Sequence, residues 1–516
     1  MPKVNLEALL KREDLLLIGE TGRTPEKPSI GISDLLPNSS YMLDSLCKPD
    51  FQRITDEWDT EKIVQFLDSF LDEDLIPAII AWRNSERTVF IIDGSHRLSC
   101  LLAWVKDDYG DGMVSQNFYN NKIPTQQIRR AQETRKKIEE KIGSYREFEL
   151  SLKNPMSVRP EIIARAKALG TAGIKIQWVD GDASKAEKSF LRINKLASPI
   201  NQTELELIES RAKPNSIAAR AISHGGEGHK YWSGFAKDKK IVIQNIATKI
   251  HELLFKPELS RGTIDTLELP MAGGVYDSPT LPLIWAFVNQ VNHISPKDYK
   301  TLADDKTGDE TIKFLQECLN VVELINSKES SSIGLHPAVY FYSTQGKHKT
   351  ATFFLITGWL LKLKDNPKLL TEFMAVRPLF ESALIEHDYI IPQIMRHYRS
   401  GKSSAATQFY FDLAKSLNET KNIDLAIKQI KAMPNYSYLK TADIADDKEP
   451  KRNFDSETKS NVFLKTIKSS NRCALCGGYI HKNALTYDHK ERKREGGMAT
   501  VENAQFAHPY CNQKKN

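Results

Sequence analysis

The last 44 residues hold Cys473-x2-Cys476, an interval of 31 residues, and then His508-x2-Cys511. Two pairs of soft ligands at this spacing suit a tetrahedral zinc ion. A segment of about 55 residues also has too little core to fold without such a staple. The remaining cysteines, Cys47, Cys100 and Cys318, are scattered singly, which is not a disulfide framework. A structural Zn2+ held by Cys473, Cys476, His508 and Cys511 is therefore expected, in a small C-terminal domain.

Charge concentrates in the same place. The chain has 516 residues and a formal net charge of +6. Residues 461–516 carry ten lysines and arginines against four acids, so the whole excess sits in the last tenth, where a polyanion would collect. The longest strongly apolar stretch, Ala351 to Leu361, has 11 residues, well short of the ~20 a membrane helix needs. Lys11, Arg12, Glu13 and Asp14 interrupt what would have to be the apolar region of a signal peptide. A cytoplasmic protein with no membrane partner is expected.

A chain this long should form several cores. Ile63, Phe66, Leu67, Phe70 and Leu71 make one helical stripe, with Asp59 as its N-cap. Leu75 to Trp82 and Thr88 to Asp93 are β-rich runs around a polar turn, which predicts a hairpin, and Ser95 to Val105 reads as a helix. The segment from Pro124 to Phe148 is a basic helix, best read as a solvated face. Helical patterns dominate from 203 to 440, and residues 441–460 form a polar run with the composition of a linker. The expected organisation is a multidomain α+β chain: an α/β domain at 1–202, a helical domain at 203–440, a linker at 441–460 and the zinc-stapled domain at 461–516.

Between the two ligand pairs stand Tyr487-Asp488-His489, Gly496-Gly497 and Asn503, and Asn512 follows Cys511. In order and spacing this stretch resembles the His-Asn-His (HNH) endonucleases with their ββα-metal fold. The resemblance implies that Asp488 and Asn512 bind a catalytic Mg2+ or Mn2+, that His489 is the general base, and that Asn503 orients the loop and the base. His508 stands where a cysteine is common, and Asn512 where some members have a third histidine. The residue types suit phosphodiester hydrolysis. An imidazole can deprotonate water near neutral pH, and a hard cation held by carboxylate and amide oxygens can neutralise charge growing on the phosphate. Lys490, Arg492, Lys493 and Arg494 lie beside the base as DNA-phosphate contacts, the alternative being a solvated charge run.

Asp93-Gly94-Ser95-His96-Arg97, a strand end, a turn and a helix start, is a pattern that can bind a phosphate through helix N–H groups and the arginine fork. A tight strand-to-helix turn with Asp93 capping the helix and Arg97 in a surface ion pair is the other reading. This motif, with PDFQRITDEWDTEKIVQFLDSFL and FLRINKLASPINQTEL on either side, resembles the ParB/sulfiredoxin-like domain of GmrSD-type modification-dependent restriction enzymes and SspE-type phage-defence nucleases. The resemblance implies binding of a nucleoside triphosphate or of modified DNA by Asp93, Gly94, Ser95, His96 and Arg97, with Gln52 and Arg53 lining the cleft. Ser95 departs from the family's glutamine. Cys100, deep among leucines, reads as a core residue and not as a nucleophile.

The combined expectation is a metal-dependent DNA endonuclease acting in restriction or phage defence, with DNA as its partner and self-association and further subunits left open. Its rival is a nucleotide-switched regulator whose zinc domain only grips DNA. Such a domain has no use for Asp488, His489, Asn503 and Asn512 together.

Overall fold

The computed structural model describes residues 3–13, 15, 27–36, 41–49, 52, 55–56, 58–119, 121, 123, 125–197, 202–226, 232, 234–257, 264, 266–273, 280–295, 298, 300–398, 403–440 and 456–515. The chain divides into two compact units, Met1–Arg211 and Ala212–Asn516.

The first unit is built on a six-stranded mixed sheet. Its strands are β1 (Lys11–Glu13), β2 (Ser29–Gly31), β3 (Leu46–Pro49), β4 (Ile79–Arg83), β5 (Val89–Asp93) and β6 (Gly173–Trp178), in the order β1-β3-β5-β4-β6-β2. The antiparallel β4–β5 hairpin is the one the two β-rich runs predict, with Ala81 opposite Ile91 and Arg83 opposite Val89. Parallel neighbours flank it on both sides: β3 against β5, and β6 against β4. Buried aliphatic residues line these strands (Ile79, Ala81, Val89, Ile91), and the helices Thr60–Leu71 and Ser95–Lys106 cover them with Ile63, Leu67, Leu98, Leu101 and Leu102. Asp59 caps the first of these helices by accepting from the Lys62 amide. Cys100 is wholly buried, its thiol turned to the Ile63 carbonyl 3.8 Å away, and burial pushes its pKa well up. It is a core residue.

The basic helix Thr125–Lys141 pairs several of its charges within the chain and leaves Arg129, Lys136 and Lys141 exposed. Arg135 reaches Asp107 at 2.7 Å and Asp111 at 2.7 Å, Arg130 pairs with Glu133 and Lys137 with Glu61.

A buried polar network fixes the start of the chain to β3. Glu7 accepts from Arg12 Nε at 2.5 Å, from Lys48 Nζ at 2.7 Å and from the Thr55 amide at 2.8 Å, and the Lys48 ammonium also donates to the Thr55 hydroxyl. The network holds the turn that carries Gln52, one of the expected cleft residues.

The second unit is helical up to residue 440. No strand occurs between 212 and 440 among the described residues. The apolar stretch Ala351 to Leu361 lies within the helix Thr350–Asp365, and Asp309–Asn326 is another of the helices in this region. The core gathers around Trp359, which meets Phe373 edge-on at 4.8 Å and stacks on Phe380 at 5.6 Å. Most of the expected linker, 441–455, lies outside the described residues. Its end belongs to the helix Ser456–Leu464, where the Ser460 hydroxyl is buried and accepts from the Ile264 amide at 3.0 Å. That segment is anchored because Ser460 and Leu464 both bury against the unit. No helix among the described residues is long and apolar enough to cross a membrane.

The Glu7 network yields a pH prediction. Burial alone would raise the Glu7 pKa, but Arg12 and Lys48 outweigh it and bring it down to about 2. A depressed carboxylate stabilises the fold fully above its ordinary value near 4.5 and loses that contribution as pH falls through about 2. Glu7→Gln should therefore cost about 3 kcal/mol at pH 7. Denaturant unfolding at pH 7, 4 and 3 should show the gap from wild type narrowing as the solution is acidified. A gap of constant size would mean that the charge is not what stabilises.

Candidate metal centre and active site

Residues 473–515 form a ββα unit. β7 (Thr486–His489) pairs antiparallel with β8 (Ala504–Ala507), and the helix Pro509–Lys515 follows. The four expected metal ligands come together, with their ligand atoms all within 4.8 Å of one another. Cys473 and Cys476 lie on a tight turn closed by the Gly477 amide on the Cys473 carbonyl at 2.8 Å, and the His508 amide points at the Cys473 sulfur at 3.4 Å.

The protonation chemistry of this cluster favours a cation. The Cys473 thiol is drawn well below its ordinary pKa, chiefly by its hydrogen bond with Cys476 and then by that with Cys511. The Cys511 thiol is pushed up, first by Cys473. Three crowded sulfurs cannot all lose their protons unless a positive charge takes up theirs. His508 is suited to join them as neutral imidazole, because burial, then Arg377, lowers its pKa. Its Nε2 lies 3.1 Å from the Tyr479 carbonyl, which leaves Nδ1 facing the cluster, 3.3 Å from the Cys476 sulfur. A Cys3His donor set of this kind fits a metal such as zinc.

Alternation along β7 turns Asp488 inward and leaves the Tyr487 side chain exposed. The Asp488 carboxylate, 2% exposed, accepts from Gln505 Nε2 at 2.7 Å and from Lys515 Nζ at 2.9 Å, both on Oδ2. The Lys515 ammonium also reaches the carbonyls of His489 and Lys490. Asn512, one turn back on the same helix, donates to the Tyr487 carbonyl at 3.2 Å and to the Thr486 hydroxyl at 3.3 Å. One helix face therefore meets the strand that carries the Asp-His pair. His489 Nε2 is buried and without a hydrogen-bond partner among the described residues. Asn503 staples the loop after His489: its Oδ1 accepts from the Glu491 amide at 2.8 Å and its Nδ2 donates to the Met498 carbonyl at 2.8 Å.

The basic run has mixed surroundings. The Lys490 ammonium donates to the Glu502 carbonyl at 2.6 Å, and Arg492 and Arg494 lie 3.8 and 4.0 Å from Glu495. Lys493 makes no ion pair among the described residues.

In the first unit, Gln52 comes beneath the end of β5 and donates to the carbonyls of Ile91 and Ile92 at 2.8 and 3.0 Å. Gly94 turns the chain at φ +99° and no side chain caps the helix that follows. Arg97 Nη2 donates to Asp93 Oδ2 at 2.6 Å and to the Ala78 carbonyl at 3.3 Å, while its Nε is buried and has no hydrogen-bond partner among the described residues. His96 stacks on Trp58 with ring centres 5.8 Å apart. Arg53 lies outside the described residues.

Sequence reasoning missed Lys515 and Trp58. Lys515 was counted only as charge, although its position three residues after Asn512 places it on the same helix face. Trp58 carried no signal beyond its place before a helix.

Residues 32–210 match the family described as GmrSD restriction endonuclease, N-terminal domain, and residues 473–516 match HNH endonuclease. No curated protein and no solved structure matches the chain.

Metal content tests the cluster. Cys476→Ser should reduce zinc from about one ion per chain to a small fraction and lower the melting temperature, as measured by elemental analysis and calorimetry on the whole protein. Wild type purified without any bound metal would contradict the assignment.

Proposed function

We propose that this chain, by its two matched domains a DNA endonuclease of restriction or anti-phage defence, cuts through His489 as general base, with Asp488 and Asn512 as the ligands of a catalytic Mg2+ or Mn2+ and the Cys3His cluster as a structural zinc site. The observation that carries the assignment of the base is the buried, unpartnered Nε2 of His489, on the strand whose next-door carboxylate is held inward by Gln505 and Lys515. That nitrogen would take a proton from the attacking water. A divalent ion bound by Asp488 and Asn512 would offset charge developing on the phosphate. Asp488 has Oδ2 committed to Gln505 and Lys515, which leaves Oδ1 for such an ion. Lys515 is then a positioning residue for the carboxylate. Asn503 keeps the loop shaped, so the base and the basic run arrive together.

Lys490, Arg492, Lys493 and Arg494 would lie along DNA phosphates. Such contacts position a duplex without reading its sequence. The DNA is proposed to be phage or modified DNA.

For the first unit the proposal is a ParB/sulfiredoxin-like sensor whose uncapped helix start at Gly94, with Ser95, His96 and Arg97, accepts a phosphate of a nucleoside triphosphate or of DNA. Asp93 and Arg97 hold each other until a ligand arrives. Gln52 and Arg53 would border the same cleft.

The experiment that tests the nuclease is plasmid cleavage with Mg2+ or Mn2+, on modified and unmodified DNA, with and without nucleotides. His489→Ala should leave DNA binding in place while cutting falls by about two to four decades. Lys493→Ala should weaken binding to every sequence and reduce the salt dependence by roughly one phosphate contact, with little effect on the chemical step. If wild type cut under none of these conditions, the domain would be a DNA-gripping module and not a nuclease.

A further inference from the structure

The metal cluster is enclosed by charged residues that lie about a hundred positions upstream of it. Arg377 and Glu381, on the helix Pro367–Glu386, are both 0% exposed and pair through Nε and Oε1 at 2.8 Å. The Arg377 Nη1 lies 3.3 Å from His508 Nδ1 and 3.9 Å from the Cys476 sulfur, and it also holds the Ile333 carbonyl at 2.5 Å. Nη2 holds the Gly334 carbonyl at 2.8 Å. All of the guanidinium's donating directions shown are thus satisfied by buried acceptors or directed at the cluster.

Glu381 reaches the same ligand by a second route. Its Oε2 accepts from the Tyr479 amide at 2.7 Å, and its Oε1 also accepts from the Tyr340 hydroxyl at 3.1 Å. The Tyr479 carbonyl is the partner of His508 Nε2. The Tyr479 residue is therefore held by Glu381 at its N–H and holds the His508 ring at its C=O. The fit leaves no slack: a β-carbon on Gly478 would lie 2.2 Å from Arg377 Nε, so only glycine admits the guanidinium there.

Three thiolates, one neutral imidazole and a doubly charged ion carry one net negative charge. In a buried site such a charge requires a fixed positive partner.

We propose that Arg377 and Glu381 are the outer layer of the metal centre. Arg377 supplies its counter-charge, Glu381 fixes through Tyr479 the ring orientation of His508, and the pair sets how tightly the nuclease unit holds its ion. The helical body is then a part of the metal site, and the ββα unit keeps its ion only while that body is folded. This inference rests on the Cys3His cluster binding metal.

The test uses the full chain in four forms: wild type, Arg377→Lys, Arg377→Met and Glu381→Gln. Two readouts are needed: the rate of zinc transfer to a chromophoric chelator, taken at the same interval below each protein's melting temperature, and the melting temperature with and without zinc. Arg377→Met and Glu381→Gln should release zinc about 10- to 100-fold faster than wild type, the range for outer-layer partners of metal ligands. Arg377→Lys, which keeps the charge and loses the fork, should fall between. Each variant should lose more melting temperature with zinc bound than with zinc stripped. Equal losses in both states, with release at the wild-type rate, would make the pair an ordinary buried ion pair and overturn the proposal. Should Arg377→Met not fold, Arg377→Lys and Glu381→Gln decide the matter alone. Wild type that holds no zinc would refute the metal reading itself, a different failure.

Discussion

The buried Arg377–Glu381 pair is the contact on which the arrangement of the second unit depends. Removing two charges from water costs several kcal/mol each, and their mutual attraction rarely returns all of it. What makes the pair tenable is that every neighbour contributes: the carbonyls of Ile333 and Gly334, the Tyr340 hydroxyl, the Tyr479 amide and the metal-ligand cluster. Those neighbours come from three separated stretches of chain. Satisfying one ion pair therefore forces the loop before residue 335, the helix Pro367–Glu386 and the cysteine turn into one register.

A ββα unit of some forty residues has one small core of its own. Cys473, Ile480, Ala507 and Cys511 make it, and Met374 of the helix Pro367–Glu386 packs against it. A second anchor repeats the logic. His481, 0% exposed, meets Glu268 at 2.8 Å through Nε2 and Asn326 at 2.8 Å through Nδ1. His481 draws Glu268 below the ordinary carboxylate range, against the effect of burial. Beside the Cys3His cluster expected from the cysteine spacing, the unit is held by polar groups on helices that the spacing does not mention.

This divides what the sequence could and could not convey. The two Cys/His pairs and the β4–β5 hairpin are local signals: fixed spacings, alternation, a cap. The structure brings the four ligand atoms together and pairs the two β-rich runs as those signals imply. Arg377, Glu381 and Gly478 look ordinary in one dimension, since an arginine four residues before a glutamate usually marks an exposed helix face. Their meaning depends on a partner a hundred residues away. Lys515 failed to register for a related reason. One more lysine in a basic tail carries no sign that its ammonium sits on a buried carboxylate. At Asp93 the expected helix cap is absent, because the carboxylate goes to Arg97 instead, and an arginine held by an aspartate is also an arginine that an anion could claim.

The way the ββα unit is held decides how the rest of the second unit could influence its chemistry. The hydrogen bonds and ion pairs described between the helices and this unit all end on its cysteine turn, on Tyr479 to Lys482, on His508 or on Tyr510. The loop from Lys490 to Asn503 is held by Asn503, by the Lys490 backbone and by the Lys515 ammonium, all within the ββα unit, and presents Met498 and Val501 to solvent. The basic run thus lies away from the described polar contacts with the helices. Those contacts lead towards His489 along the covalent chain from the cysteine turn to β7 and along the helix Pro509–Lys515. Lys515 ends that second route on the carboxylate of Asp488 and the carbonyl of His489. The Cys3His cluster thus stands between the helices that hold the ββα unit and the strand that carries Asp488 and His489.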